Sequence, residues 1–129
     1  MQFPILYAKI HRATVTAADL HYEGSITIDR RLLDLAELLP HQQVQIYNIS
    51  NGARFETYVM EAAVDSGCVQ INGAAAHKAK VGDLIIIAAY VAMSRQEAAR
   101  WEPKIVLVDR HNRPRAARPP LGPPEIEDC

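Results

Sequence analysis

The run His21-Tyr22-Glu23-Gly24-Ser25-Ile26-Thr27-Ile28 is the most suggestive part of the chain, because it sets a Gly-Ser bond between the end of one strand-like segment and the start of another. Taken alone, that dipeptide is a turn: Gly supplies φ > 0 and Ser hydrogen-bonds locally. Two further pairs have side chains suited to chemistry. Lys9 and His11 alternate within a strand-like run and share a face; Arg54 and Tyr58 do the same in another. The remaining histidines, His21, His41, His77 and His111, are scattered without metal-ligand spacing and read as surface or packed side chains. There is no Gly-rich phosphate loop ending in Lys-Ser/Thr, no Gly-x-Gly-x-x-Gly, no His-Glu-x-x-His, no Cys-x-x-Cys and no Gly-x-Ser-x-Gly. Nucleotide, zinc and ordinary hydrolase chemistry therefore lack their usual signals, and no metal is expected.

The elements that must position these residues are short. Ile5 to Thr16 alternates with the period of a half-buried strand, Leu6, Ala8 and Ile10 on one side and Tyr7, Lys9 and His11 on the other. Asp29 to Pro40 suits a short helix, capped by Asp29 and stopped by Pro40, with Leu32, Leu35, Ala36 and Leu39 expected on its inner side. Val44 to Ile49 and Arg54 to Met60 are β-rich and flank Asn51-Gly52, a strong hairpin signal. In the second of these, Arg54, Glu56, Tyr58 and Met60 face one way and Phe55, Thr57 and Val59 the other. Cys68 to Ile71 reads as a strand, Asn72 to Ala76 as a tight loop of small residues, and Leu84 to Val91 as an apolar strand buried on both faces. Ser94-x-x-Glu97 is a capping box, and Ile105 to Val108 a last strand. Six or seven short strands with two short helices point to a small, mainly β barrel, whose closure removes aggregation-prone edges.

The length of 129 residues fits a single core, expected over residues 1–108. After Asp109 come four arginines and five of the eight prolines, so residues 109–129 are expected to be a disordered tail. A formal net charge of -1 offers no basic footprint for nucleic acid. The longest apolar stretch, Leu84 to Met93, is far short of the roughly 20 residues a membrane span needs, and the first dozen residues lack the basic start of a secretory signal. Cys68 and Cys129, too few and too far apart for a disulfide framework, are simplest in a reducing cytoplasm.

Several separated blocks, in order, resemble the bacterial pyruvoyl-dependent aspartate decarboxylase family. They are Ile10-His11-x-x-x-Val15-Thr16-x-Ala18-x-Leu20-x-Tyr22-x-Gly24-Ser25, then Asn51-Gly52-x-Arg54-Phe55-x-Thr57-Tyr58, then Ile71-Asn72-Gly73-Ala74-Ala75-Ala76-His77 and Gly82-Asp83. The register holds from about Lys9 to Trp101. Tyr47 departs from the Trp associated with that strand position, and the Pro-rich tail is long for the family.

The resemblance implies a double-psi β-barrel, a homotetramer with sites between subunits, and a pyruvoyl cofactor made from Ser25, with no pyridoxal phosphate. The Ser25 hydroxyl would attack the Gly24 carbonyl, leaving a β chain of residues 1–24 and an α chain of residues 25–129. Such an attack needs an accessible, oriented carbonyl and donors for the oxyanion. Gly24 gives access; Thr57 would donate to its carbonyl, Asn72 and Tyr22 would hold the loop, and His11 would move the proton. The amine of L-aspartate would then condense with the new ketone, which drains the electrons released with CO2. Tyr58 would protonate the former α-carbon. Arg54 and Lys9 would hold the carboxylates, Arg54 the one that survives in β-alanine, since clamping the leaving group would favour the ground state. Thr57 and the turn Gly73-Ala74-Ala75 would complete substrate binding. β-Alanine supplies pantothenate and coenzyme A synthesis. Cleavage is either spontaneous or helped by a maturation factor, and the alternatives left open are a glutamate-type decarboxylase and a non-enzymatic binding module.

Overall fold

The structure, a computed structural model, describes residues 1–115. In chain order the elements are β1 (Gln2–Thr14), β2 (Ala17–Asp19), β3 (Ser25–Asp29), α1 (Arg30–Ala36), β4 (Gln43–Asn48), β5 (Arg54–Ala62), β6 (Val69–Asn72), a 3-10 helix (Gly73–His77), β7 (Leu84–Ser94), α2 (Arg95–Arg100) and β8 (Lys104–Leu107). The fold is mainly β, as the alternating runs require, with eight strands rather than six or seven among the described residues. They form one sheet in the order β2-β6-β3-β5-β4-β7-β1-β8. Only β4–β5 is a tight hairpin; β2–β6, β3–β5 and β1–β8 are parallel, so the chain must cross over between them.

The sheet curls around its own inner face, giving the expected barrel-like body. Ile10, Ile26, Ile28, Ile46, Val59, Ile71, Ile85 and Ile87 are fully buried there, drawn from six of the eight strands. Where β1 ends, the Val15 N–H donates to Asp83 O and the Thr16 N–H to Val69 O, which ties its end to the β6 side of the barrel. β1 follows β7 only by inserting extra residues at Tyr7 and again at His11 and Arg12; Arg12 takes the left-handed conformation, φ 64°. These bulges bend the strand without flipping Lys9 off the outer face.

Four expectations change. The helix buries Leu32, Leu33, Ala36 and the following Leu38, while Leu35 and Leu39 are exposed. Its cap explains the shift: Asp29 is buried and its carboxylate accepts from the Arg31, Asp65 and Gly67 N–H groups, which fixes the first turn. The expected tight loop after Asn72 is a 3-10 helix, Gly73–His77. β7 runs on to Ser94, and its outer face is not sealed: Ile86 is half-buried and Tyr90 exposed. Finally, residues 109–115 are not a solvated tail. Asn112 is fully buried and donates to Thr14 O and Gly67 O while accepting from the Thr14 N–H, and Pro114 bridges to Val108. One amide that satisfies three backbone groups outweighs a composition rich in Arg and Pro. The rest of the expected tail, 116–129, lies outside the described residues.

Candidate functional site

Ser25 opens β3 directly opposite Asn72, which closes β6. Both are buried, at 1% and 0% exposure, so their polar atoms must find partners. They do. Asn72 Nδ2 donates to Ser25 Oγ at 3.0 Å and to Thr27 Oγ1 at 3.0 Å, and the Ser25 hydroxyl donates to Glu23 O at 3.2 Å. Gln70 Nε2 donates to Asn72 Oδ1 at 2.8 Å and so fixes which way the amide faces. Thr27 and Gln70 were not among the expected site residues; each sits two positions from a residue that was, on the same strand face, and that spacing is the signal that finds them.

The approach to Ser25 is equally constrained. Gly24 is exposed, and Gly73, at φ +75°, packs on it so closely that a Cβ there would lie 2.7 Å from Gly24 Cα and 3.1 Å from Tyr22 O. A residue with a side chain would meet both the strained backbone and the loop. Ala74 is exposed at the start of the 3-10 helix and Ala75 packs on the core. Tyr22 itself is exposed, its N–H donating to Asp19 O. β3 runs parallel to β5 from Ile26 beside Val59; continued backwards, that register sets Ser25 abreast of Tyr58 and Gly24 abreast of Thr57. Ile26 and Val59 point inward, so Ser25 and Tyr58 share the outer face. The Tyr58 ring is half-buried and tilts against His41, ring centroids 6.5 Å apart.

A second group lies farther round the same outer face. Arg54 pairs with Tyr47, and Tyr47 with Ile86; in the next row Glu56 pairs with Gln45, Gln45 with Ala88, and Ala88 with Lys9. The Arg54 guanidinium stacks 4.2 Å from the centroid of the Tyr47 ring. Glu56, the carboxylate nearest in sequence, accepts from Gln43 and Gln45. Neither Arg54 nor Lys9 has an anionic partner among the described residues. His11 is half-buried on this face and its Nδ1 has no hydrogen-bond partner. Burial, then the charges of Lys9 and Arg12, hold its pKa below the ordinary value, so it is a neutral acceptor at neutral pH.

Among the described residues no hydrogen bond or ion pair joins the two groups. β1, which carries Lys9 and His11, stands four sheet steps from β3, about 19 Å along the sheet. Among the described residues no hydrogen bond joins His11 to Ser25. Two surface hollows, one lined by Arg30, Asp34, Glu61 and Val64 and another by Tyr7, Leu33, Leu38 and Val91, include none of Ser25, Asn72, Tyr58, Arg54, Lys9 or His11 in their linings. Among the described residues no three His, Cys, Asp or Glu side chains cluster to hold a metal, and no helix is long and apolar enough to cross a membrane.

A family model described as aspartate decarboxylase matches residues 1–115. Among curated relatives named aspartate 1-decarboxylase, that of Chloroherpeton thalassium is 55% identical over 115 residues, 89% of this chain and 85% of the relative. That of Thermoanaerobacter pseudethanolicus is 52% identical over 114 residues, 88% of this chain and 97% of the relative. The protein of Syntrophus aciditrophicus is 54% identical over 112 residues, 87% and 97% of the two chains.

Proposed function

Because the chain belongs to the aspartate decarboxylase family, we propose that it converts L-aspartate to β-alanine and CO2, for pantothenate synthesis, using a pyruvoyl group made from its own Ser25. The observation that carries this reading is the buried Ser25 hydroxyl held by Asn72 beside an exposed, tightly packed Gly24. Ser25 Oγ attacks the Gly24 carbonyl carbon; the C–O bond forms as C–N breaks, and the freed amine takes the hydroxyl proton. Elimination of the Gly24 carboxylate from the Ser25 Cβ, then addition of water and loss of ammonia, leaves residues 1–24 and 25–129 as separate chains. Thr57, abreast of Gly24, donates to the oxyanion, and Asn72 keeps Oγ in line, its own amide oriented by Gln70.

The residues fit the group they would hold: the position is buried, close to donors, and flanked by a phenol. Once formed, the pyruvoyl ketone supplies the sink for the electrons released as CO2 departs. The chain does the rest. Arg54, with its five N–H donors free of a protein carboxylate, holds the side-chain carboxylate that survives in the product. Lys9 supplies the second positive charge, Tyr58 delivers a proton to the former α-carbon, and Gly73 and Ala74 let backbone approach the substrate. The four strand steps along the sheet between Lys9 and Ser25 support sites built between copies of the chain, in a homotetramer whose cationic face closes over a neighbour's Ser25. Cys68, unpaired and half-buried, suits a cytoplasmic setting.

Intact-mass spectrometry of the purified protein, with CO2 release from L-aspartate, tests the reading. Two chains broken after Gly24 are expected, and Ser25→Ala should remain a single inactive chain. Active preparations that are unbroken and carry no carbonyl reactive toward hydrazine would overturn it.

A further inference from the structure

The cationic face holds one feature that the decarboxylation scheme does not use. The Tyr47 and Tyr90 hydroxyls lie 2.9 Å apart, joining β4 to β7 over the outer face. Tyr47 is the ring on which the Arg54 guanidinium rests, 4.2 Å from its centroid. Ala88 stands between Ile86 and Tyr90 on that face. Beside it is a hollow of about 150 Å³, lined by Gln43, Val44, Gln45, Ala88 and Tyr90. On an open strand face an arginine side chain samples many rotamers, and each one that must be frozen on binding weakens the complex. Stacking on an aromatic ring fixes the guanidinium plane, but only as firmly as the ring itself is fixed. The ring is anchored at its far end by Tyr90.

We propose that Tyr90 is a positioning residue for substrate: through the hydroxyl pair it pins Tyr47, and Tyr47 pre-orients Arg54 for bidentate capture of the side-chain carboxylate. This rests on the reading of Arg54 as the carboxylate clamp. The neighbouring acid is prevented from competing, because Glu56 is already engaged by Gln43 and Gln45. The hydroxyl pair depends on the Tyr at position 47, since a Phe there would have no donor or acceptor to offer Tyr90. The Tyr90 phenol titrates above its ordinary value, through the bond to Tyr47, then burial, then the Tyr47 charge, with Arg54 opposing.

Tyr90→Phe, Tyr47→Phe and the double variant, compared as self-processed enzymes, test the proposal. Tyr90 is 44% exposed, so removing its hydroxyl leaves the core untouched. The expected result is a KM for L-aspartate raised about three- to tenfold in each single variant, with kcat nearly unchanged, the pattern of lost uniform binding. The double variant should be no worse than either single, because both delete the same bond. Titration of ¹³C-labelled tyrosines should move Tyr90 down towards its ordinary value in Tyr47→Phe, a readout independent of turnover. If the wild type turns over aspartate but Tyr90→Phe matches its KM, or the two losses add, the positioning role is wrong. If the wild type does not turn over aspartate, the clamp reading fails and takes this role with it, even where the tyrosine titrations still report the hydroxyl bond.

Discussion

The surroundings of Ser25 and the face carrying Arg54 and Lys9 belong to one sheet, yet they are built on opposite plans. Around Ser25 the side chains bind one another: Gln70 holds Asn72, Asn72 holds Ser25 and Thr27, and the Ser25 hydroxyl turns to Glu23 O. Around Arg54 the cations have no such partner among the described residues, and only a ring supports the guanidinium. The difference matches the chemistry proposed for each. A bond broken once, within the chain, needs reactants already in place, and orientation is worth most when nothing has to be reorganised. An exchangeable dicarboxylate needs donors left unsatisfied until it arrives. Burial enforces the first plan, since an unpaired buried group is costly; exposure permits the second.

The strongest way to break this contrast is at its tightest contact. Gly73→Ala forces a methyl to 2.7 Å from Gly24 Cα at a φ of +75°. Overpacking costs about 1–3 kcal/mol and the left-handed backbone about 1–2 kcal/mol more. The loop bearing Gly24 is the part able to give, so the strain should appear as misplacement of the carbonyl. Self-cleavage is expected to slow by about 100-fold or more, followed by intact mass over time, while circular dichroism reports an intact barrel. Cleavage at the wild-type rate would mean that the loop is not preorganised and that the two regions differ less than their hydrogen bonds suggest.

Legibility in the sequence divided along the same line. Local signals carried far: Asp29 and Ser94 cap helices where they stand, Asn51-Gly52 turns the β4–β5 hairpin, and alternation placed Lys9 with His11 and Arg54 with Tyr58. Pairings between distant segments were not visible. Nothing in Ser25 or Asn72 alone says that their strands lie side by side, and Gln70 gains its role only from that pairing. Composition misled at residues 109–115, where Asn112, the Pro114–Val108 bridge and the Arg115 N–H on Leu107 O fasten an Arg-rich segment to the barrel. The helix face was misjudged because Asp29 is fixed by three N–H groups, two of them from the segment before β6, and not by the helix's own apolar period.

The exposed face can be sharpened with a change that keeps its charge. Arg54→Lys preserves a cation but loses the planar fork and its stacking on Tyr47. The expected outcome is a KM for L-aspartate raised about tenfold, equivalent to about 1.4 kcal/mol, with self-cleavage unaffected because the Ser25 surroundings do not include this residue. A mass spectrum and steady-state kinetics on one preparation read both. Slowed cleavage in this variant would show that the face takes part in maturation as well, and the division of labour would fall.

The smallest effect tests whether the cationic face exacts a cost on the fold that carries it. Burial and the charges of Lys9 and Arg12 lower the His11 pKa below the ordinary 6.5. Between the folded and unfolded values the unfolded chain therefore binds more protons, so stability rises with pH across that interval. The contribution is fully present above about pH 6.5 and is lost as the pH falls through the folded value. Carboxylates with lowered pKa, such as Asp83 and Asp109, act below the ordinary 3.8 and leave this window clear. In uncleaved Ser25→Ala protein, which has no new chain ends to titrate, Tm should fall between pH 7 and pH 5.5 by on the order of 1–2 °C more than in the same chain with His11→Gln. Replacing Lys9 with Met should shrink that difference, because one of the two neighbouring charges is gone, whereas Asn72→Ala, on the other region, should leave it unchanged. Identical pH dependence with and without His11 would mean that its burial is relieved in solution, and that the repulsion on this face is absorbed by solvent instead of being held by the fold until an anion binds.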